Sequence, residues 1–138
     1  PQMRYIGVIP KDLATGLLWP QIESLIARSE PYGRGEFTAS DILDGIKSGN
    51  MFALGVVEDG AVVFVLTATV VEYPRKRVLY VQSGAGRGSK LAKEALISAA
   101  KTLEVDWIET RCRASIARIY RSIGFDTAYQ VAILEIQK

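Results

Sequence analysis

The chain has 138 residues, of which 49% are hydrophobic, and its formal net charge is +2. This length fits one core, so we expect a single domain over residues 1–138. The single cysteine, Cys112, and the lack of histidine exclude a disulfide framework, the usual zinc ligands and histidine-dependent nucleophiles. No apolar run approaches the ~18 residues that span a bilayer, and the first residues do not resemble a signal peptide. We therefore expect a cytoplasmic protein with no membrane partner.

The N-terminal segment predicts a strand followed by a helix. Residues 3–9 alternate loosely between apolar and polar side chains, which is typical of a strand, and Pro10 ends it. Asp12 is a candidate N-cap for a helix whose leucines and isoleucines recur at helical spacing. Pro20 lies within this pattern and predicts a break or a restart of the helix.

A second helix follows a loop. The loop over residues 29–37 contains proline and glycine and separates the two helices. Thr38 or Ser40 is the candidate N-cap of a helix over residues 41–47, and the glycine-containing residues 48–50 end it.

The middle of the chain predicts an antiparallel meander of three strands. These strands cover residues 51–57, 61–73 and 77–81, and the short turns between them favour antiparallel pairing. A helix then begins near Ser89 and leads to a strand over residues 105–112. A strand connected through a helix to a neighbouring strand predicts a parallel pair.

The C-terminal quarter predicts one more helix and a last strand. The helix covers residues 115–122 with Gly124 as its C-cap, and residues 129–136 have the composition of a strand. The predicted order is therefore β-α-α-β-β-β-α-β-α-β. This order indicates an α/β (α+β) fold with a mixed, mostly antiparallel central sheet flanked by helices.

The segment before the helix at Ser89 is rich in glycine and reads Ser83-Gly84-Ala85-Gly86-Arg87-Gly88-Ser89-Lys90. Glycines let backbone N–H groups approach a ligand, and a helix N-terminus presents unpaired donors and a positive dipole end. The pattern therefore predicts a phosphate site. The dinucleotide and NTPase glycine motifs do not fit, because their glycine spacing and their Gly-Lys-Ser/Thr order are absent.

The order of elements and the glycine segment resemble the Gcn5-related N-acetyltransferase (GNAT) family over essentially the whole chain. The family pattern Gln/Arg-x-x-Gly-x-Gly/Ala falls on Ser83, Gly86 and Gly88. The resemblance implies acetyl-CoA as co-substrate, without a metal, and a backbone N–H near Val81 that polarises the thioester carbonyl. It also implies that the backbone amides of residues 84–89 hold the pyrophosphate of acetyl-CoA, with charge-assisted contacts from the side chains of Arg87 and Lys90. The implied cofactor-binding residues are Val81, Gly84, Ala85, Gly86, Arg87, Gly88, Ser89 and Lys90.

A second motif near the C terminus supports the same resemblance. The family pattern of Leu-Tyr followed by Gly-Phe falls on Ile119-Tyr120 and Gly124-Phe125. The resemblance implies that Tyr120 is the general acid that protonates the departing CoA thiolate. The helical spacing of Ile116 and Ile123 around Tyr120 leaves a core tyrosine as the alternative.

The charges are distributed unevenly along the chain. Residues 21–60 hold seven acids against three bases, and residues 61–121 hold eleven bases against five acids. In the GNAT family the helices after the first strand help to build the acceptor site, so we expect a cationic acceptor, either a small amine or a basic peptide. Glu72 and Glu109 are the candidate general bases, with a water chain as the alternative.

Three positions depart from the GNAT pattern and leave a second function open. Ser83 stands where Gln or Arg is usual, and Arg113 and Ile116 stand where Asn and Ala are usual. These departures fit a lapsed acetyltransferase fold with a structural role, such as a phage virion component within a virion assembly. The resemblance also implies a homodimer that pairs through its C-terminal strands, which here cover residues 131–136.

A third function, nucleic-acid binding, rests on basic residues near the C terminus. The near-neutral net charge and the lack of regularly spaced aromatic residues count against it, so we expect no nucleic-acid partner. The residues concerned are Arg111, Arg113, Arg118, Arg121 and Tyr120.

Overall fold

The structure is a computed structural model that describes residues 4–29, 36–86 and 89–138. Predictions that fall on residues 1–3, 30–35, 87 and 88 lie outside the described residues. Within the described parts of the chain, no helix is both long and apolar enough to cross a bilayer. The elements in chain order are β1 (Arg4–Val8), α1 (Lys11–Thr15), α2 (Trp19–Ser29), α3 (Ala39–Ser48), β2 (Phe52–Glu58), β3 (Ala61–Glu72), β4 (Arg77–Gly86), α4 (Ser89–Thr102), β5 (Trp107–Thr110) and α5 (Ala114–Ser122).

The five strands form one sheet in the order β1-β2-β3-β4-β5. The first four strands pair antiparallel, and β5 pairs with β4 in parallel. The α4 connection between β4 and β5 explains the parallel pair, since such a pair needs a long crossover. The predicted mixed, mostly antiparallel sheet is confirmed.

Helices cover both faces of this sheet because neighbouring strand residues point to opposite faces. On β2, Ala53 packs in a cluster with Ile22 of α2 and Ile42 of α3. The next residue, Leu54, packs in a second cluster with Leu96 of α4. We call these the first and second core clusters. The sheet thus separates the α1–α3 layer from the α4 and α5 layer.

The break after the first helix is placed differently from the prediction. Asp12 lies in the first turn of α1, and the N-cap is Pro10, which makes no side-chain cap bond, so the predicted Asp12 cap is wrong. The helix ends at Thr15, before Pro20, which lies in the first turn of α2. Proline is tolerated there because the first N–H groups of a helix have no intrahelical partner.

The predicted Thr38 cap of α3 is confirmed. The Asp41 N–H donates to Thr38 Oγ1 at 3.2 Å, and the Thr38 N–H donates to Asp41 Oδ2 at 2.9 Å. This reciprocal pair is a capping box, which satisfies two backbone donors. Gly49 ends the helix with φ 84°, a left-handed conformation that favours glycine.

The C-terminal end differs from the prediction in two ways. α5 ends at Ser122 with Ile123 as its C-cap, and Gly124 follows it with φ 108°, so the predicted Gly124 cap lies one residue too late. The predicted strand over residues 129–136 is wrong, because residues 126–138 carry no regular secondary structure. Tyr129 and Leu134 are 83% and 84% exposed. An alternating pattern forms a strand only where a neighbouring strand pairs with its backbone.

Candidate active site at the fork between β4 and β5

β4 and β5 separate at Val81 and Thr110. They pair from Val78 with Trp107 to Val81 with Thr110, where β5 ends. β4 continues to Gly86 while paired with β3 on its other side. We call the opening beyond the last β4–β5 pair the fork. Because strand amides alternate in direction, about half of those over residues 82–86 point away from β3, towards the fork.

A β-bulge marks the point where β4 leaves β5. Val81 pairs with Ala68 of β3, and Ser83 pairs with the adjacent β3 residue, Thr67. Gln82 is therefore an extra residue of β4 without a Cα partner on β3. Thr67, which is fully buried, and Ser83 form a hydrogen bond between their hydroxyl oxygens at 2.6 Å. Bulges bend a strand and redirect its side chains, and they recur beside active sites.

The glycine segment is not the free loop that its sequence predicts, because residues 83–86 belong to β4. Gly86 has φ 117°, and a Cβ there would lie 2.4 Å from the Val63 carbonyl oxygen. A Cβ on Gly84 would lie 2.3 Å from Leu66 Cδ2. The β3 backbone therefore requires glycine at position 86, independently of any ligand, whereas the contact at position 84 is with the end of a flexible leucine side chain that can shift.

The remaining predicted cofactor residues lie around the start of α4. Val81 is buried at the fork, and Ala85 is half-buried. α4 begins at Ser89, and Lys90 is exposed in its first turn. The predicted residues 87 and 88 lie outside the described chain. The helix start therefore follows the fork directly in sequence, with unpaired first-turn N–H groups available to an anion.

Tyr120 on α5 lies at the same fork. Its ring packs in the second core cluster against Phe125, with ring centroids 4.8 Å apart. Its hydroxyl has a hydrogen-bond interaction with Thr110, whose own hydroxyl donates to the Val81 carbonyl oxygen at 3.2 Å. Burial, and then the neighbouring Cys112, raise the pKa of Tyr120, while the Thr110 interaction lowers it. The neutral phenol is therefore favoured at physiological pH, and Tyr120 is a core residue whose hydroxyl lies at the fork.

Cys112 follows the fork two residues after Thr110. The residue is largely exposed. The part of its side chain that is buried raises the pKa of the thiol by desolvation, and the charge of Arg121 opposes this shift. The thiol form is therefore favoured near neutral pH. Because nucleophilic attack requires the thiolate, this position does not indicate a reactive cysteine.

The two candidate bases lie at different distances from the fork. Glu109 pairs with Tyr80 in the β4–β5 register, one residue before the fork, and accepts a hydrogen bond from Trp107 Nε1 at 3.3 Å. Glu72 forms an ion pair with Arg77, at the start of β4. Four residues of strand, about 13 Å, separate that end from Val81. The structure therefore places Glu109 one residue before the fork, on the face of the sheet opposite Tyr120, and it does not bring Glu72 to the fork.

Arg111 joins three separate segments beside Glu109. Its Nε donates to the Tyr80 hydroxyl, its guanidinium lies 5.6 Å from the centroid of that ring, and a terminal nitrogen donates to Glu36 Oε2 at 3.1 Å. Tyr80 first, and then Glu36, raise the pKa of Arg111. We call this contact set the Arg111 bridge. It ties the segment that enters α3 to the end of β5. Sequence analysis did not find it, because Arg111 and Glu36 are 75 residues apart.

Several of the acids in residues 21–60 are engaged within the chain. Glu36 pairs with Arg111, Glu58 pairs with Arg4 at 3.0 Å, and Asp41 belongs to the α3 capping box. The acidic character of this region is therefore partly neutralised. The excess of acids in the sequence overstates the field that an acceptor meets.

Two surface hollows lie at the end of the sheet opposite the fork. One adjoins the β3–β4 turn, and the other adjoins the start of β2. The first hollow is lined by Tyr73, Pro74, Arg75, Lys76 and Trp107, and the second by Gly49, Asn50, Phe52, Val70, Glu72 and Arg77.

Among the described residues, no group of three or more His, Cys, Asp or Glu side chains is placed to hold a metal ion.

Comparison with known proteins gives matches among solved structures. No protein-family model matches the chain, and no curated protein matches it significantly. The aminoglycoside N-acetyltransferase AAC(6')-Iy in complex with CoA is 11% identical, with a TM-score of 0.72 over 100% of this chain and 97% of that one.

Two further solved structures give the same result. An aminoglycoside acetyltransferase, meta-AAC0020, from an uncultured soil metagenomic sample and in complex with sisomicin, is 13% identical, with a TM-score of 0.69 over 98% of this chain and 96% of that one. Glucosamine-6-phosphate N-acetyltransferase from Arabidopsis thaliana is 10% identical, with a TM-score of 0.65 over 99% of each chain. At these identities the likeness establishes the fold.

Proposed function

Because the chain has the GNAT fold, we propose that it transfers an acetyl group from acetyl-CoA to an amine, with the thioester in the fork between β4 and β5. The fork carries this proposal. It combines the side of β4 after Val81 that β5 leaves free, the Tyr120 hydroxyl on one face of the sheet, and Glu109 on the other face, one residue before the fork. These groups supply a donor for an oxyanion, an acid and a base, which are what amide formation from a thioester requires.

The reaction follows from these positions. The neutral amine attacks the thioester carbonyl carbon and forms a new C–N bond, while a β4 N–H near Val81 stabilises the oxyanion. The carbonyl re-forms as the C–S bond breaks, and the Tyr120 phenol donates its proton to the leaving thiolate. The amine proton passes to Glu109 or to water. The position of the Tyr120 hydroxyl next to Thr110 at the fork supports this role.

Acetyl-CoA would be held along β4 and at the start of α4. The pyrophosphate would meet backbone amides of residues 84–89, with charge contacts from Arg87 and Lys90. The dipole of α4 favours an anion at this place, because the helix starts at Ser89, three residues after β4 ends. A solved structure with the same fold, AAC(6')-Iy, was determined in complex with CoA.

The acceptor would be a small amine or a basic peptide that carries positive charge. Glu109 lies on β5 next to Ile108, which packs in the second core cluster with Tyr120, so Glu109 points to the opposite face of the sheet. We propose that the acceptor approaches Glu109 from that face, the side of α1–α3. A structural relative was determined with the aminoglycoside sisomicin, which is consistent with an amine acceptor.

We propose that the protein acts in the cytoplasm as a homodimer. The single cysteine fits a reducing compartment. The C-terminal segment exposes five large apolar side chains, which a second copy would cover. These are Tyr129, Val131, Ile133, Leu134 and Ile136.

Calorimetry and an acetylation assay test the proposal together. Acetyl-CoA should bind saturably, and mass spectrometry should detect acetylated product from cationic amines in preference to anionic ones. Binding without transfer to any amine of a broad panel would contradict catalysis. Absence of saturable heat at millimolar acetyl-CoA would contradict the cofactor as well and would favour the structural role.

A further inference from the structure

Gln82 has a buried side-chain oxygen without a partner. Among the described residues, no hydrogen-bond donor reaches its Oε1 atom. Buried polar atoms in folded proteins almost always have a partner, since burial removes the water that would otherwise bind them. A buried oxygen without a hydrogen bond therefore either lowers the stability of the free protein or accepts a hydrogen bond from a bound ligand.

The position of Gln82 favours a ligand. It is the bulge residue between Val81, the last β4 residue paired with β5, and Ser83, the next one paired with β3. Its backbone thus has no register partner on either neighbouring strand. The side-chain oxygen without a hydrogen bond and the missing register partner occur at one residue of the fork, where the proposed thioester and amine meet.

We propose that Gln82 is a binding residue whose side-chain carbonyl accepts a hydrogen bond from an N–H group of the bound ligand. This inference rests on the proposed function and adds a residue to its site. The N–H group has two sources, the amides of the pantetheine arm of acetyl-CoA and the acceptor amine. In both cases the bond forms only when ligand is present, so the ligand-free protein holds an unsatisfied acceptor.

Two substitutions at this position separate the ligand role from a structural one. Gln82→Met keeps the length of the side chain but removes the acceptor, and Gln82→Glu keeps an acceptor oxygen in either protonation state. Gln130→Met, in the exposed C-terminal segment, is the matched control. Each variant is compared with wild type by thermal unfolding without ligand, by calorimetry with acetyl-CoA, and by steady-state acetylation of the best amine found.

We expect Gln82→Met to raise the Tm of the ligand-free protein by about 3 °C, because an unsatisfied buried acceptor is lost. The same variant should bind ligand about fivefold or more weakly, while Gln82→Glu and Gln130→Met stay near wild type. A weaker Kd for acetyl-CoA assigns the N–H to the pantetheine arm. An unchanged Kd with a raised KM for the amine assigns it to the acceptor.

Two results would overturn the assignment of Gln82. One is a lower Tm for Gln82→Met, which means that the side chain already has partners in the free protein. The other is an unchanged Kd and an unchanged KM in that variant while wild type binds and turns over. Wild-type protein that binds no acetyl-CoA would instead overturn the proposed function itself, and this inference with it.

Discussion

Tyr120 is buried by packing, and its hydroxyl lies where the proposed reaction needs a proton donor. Its ring lies against Phe125 in the second core cluster, and its hydroxyl lies near Thr110 at the fork. Desolvation raises the pKa of the phenol from its ordinary value of 10.0, so the neutral form persists across physiological pH. A structural tyrosine and a catalytic one thus have the same contacts here, and only kinetics separates them.

Replacing Tyr120 by Phe should lower kcat for acetyl transfer by about 100-fold, since a positioned general acid contributes on this scale. The ring packing is kept, so the Kd for acetyl-CoA and the Tm should change little. Tyr129→Phe, whose side chain is 83% exposed, is the control and should match wild type. An unchanged kcat in Tyr120→Phe, with loss of stability alone, would assign Tyr120 to the core only.

Gly86 is constrained by backbone conformation and by β3. We expect Gly86→Ala to lower the free energy of unfolding by about 2 kcal/mol or more, because φ 117° is strained for alanine and its Cβ would meet the Val63 carbonyl. Gly60→Ala is the control: its φ of 80° is also positive, but nothing lies within 4 Å of its Cβ. Urea unfolding measures the free energy of unfolding of both variants and of wild type. Equal losses would mean that the contact with β3 contributes nothing.

The residues found from the sequence are those that belong to local patterns. The dipeptides around Tyr120 and the glycines of β4 stand in short motifs, so their positions follow from spacing. Arg111 and Gln82 carry no such signal. Arg111 meets Glu36 only after the chain folds, and the orphaned oxygen of Gln82 depends on the register between β3 and β4.

At the scale of elements, α3 gives the most direct agreement between sequence and structure. Of the two predicted caps, Thr38 is the one that acts, and the predicted glycine ends the helix; the structure adds Asp41, three residues after Thr38, as the second half of a capping box. The backbone of Thr38, and then its hydroxyl, hold the pKa of Asp41 below its ordinary value of 3.8. The charged form is therefore favoured by the folded helix.

This lowered pKa predicts a pH dependence of stability. The contribution of Asp41 is present above about pH 4, where the unfolded carboxyl is also ionised, and is lost as the pH falls through the lower folded pKa. Wild type should therefore lose more unfolding free energy between pH 5 and pH 2 than Asp41→Asn does. Asp44→Asn, on the same helix, is the control. Parallel pH curves for wild type and Asp41→Asn would contradict the contribution of the capping box.

The C-terminal end of β4 could not be predicted from the local sequence pattern. The sequence predicts its end at Val81, where glycines begin, but the strand continues to Gly86 because β3 lies alongside and pairs with it. Glycine has low strand propensity on its own, and tertiary pairing overrides it. The same reasoning applies in reverse to residues 129–136, whose apolar side chains suggest a strand but have no neighbouring strand to pair with.

On the scale of the whole molecule, the sheet places the two proposed catalytic side chains on different faces. Tyr120 belongs to the α5 side and Glu109 to the α1–α3 side, and the fork is the opening between these faces. Under the proposed function, the cofactor and the acceptor would reach the fork from two directions. The fold class and the order of elements along the chain follow from periodicity and turn spacing, whereas the fork depends on where two strands stop pairing.

The exposed C-terminal segment predicts a change in assembly. If residues 129–136 form the proposed dimer contact, Ile133→Glu should weaken self-association at least tenfold, since a charge in an apolar interface is costly. Gln137→Glu, which adds the same charge nearby, is the control. Sedimentation velocity over a range of concentrations measures the effect. A wild type that stays monomeric at the highest concentration would contradict the dimer.

The location of the cofactor is the central claim, and NMR titration with acetyl-CoA tests it most directly. In ¹⁵N spectra of the full chain, we predict that the largest saturable shifts fall on residues 81–86, Thr110 and Tyr120, with small changes at the hollow near Tyr73 and Trp107. Shifts centred on that hollow, or no saturable shifts at millimolar acetyl-CoA, would contradict binding in the fork.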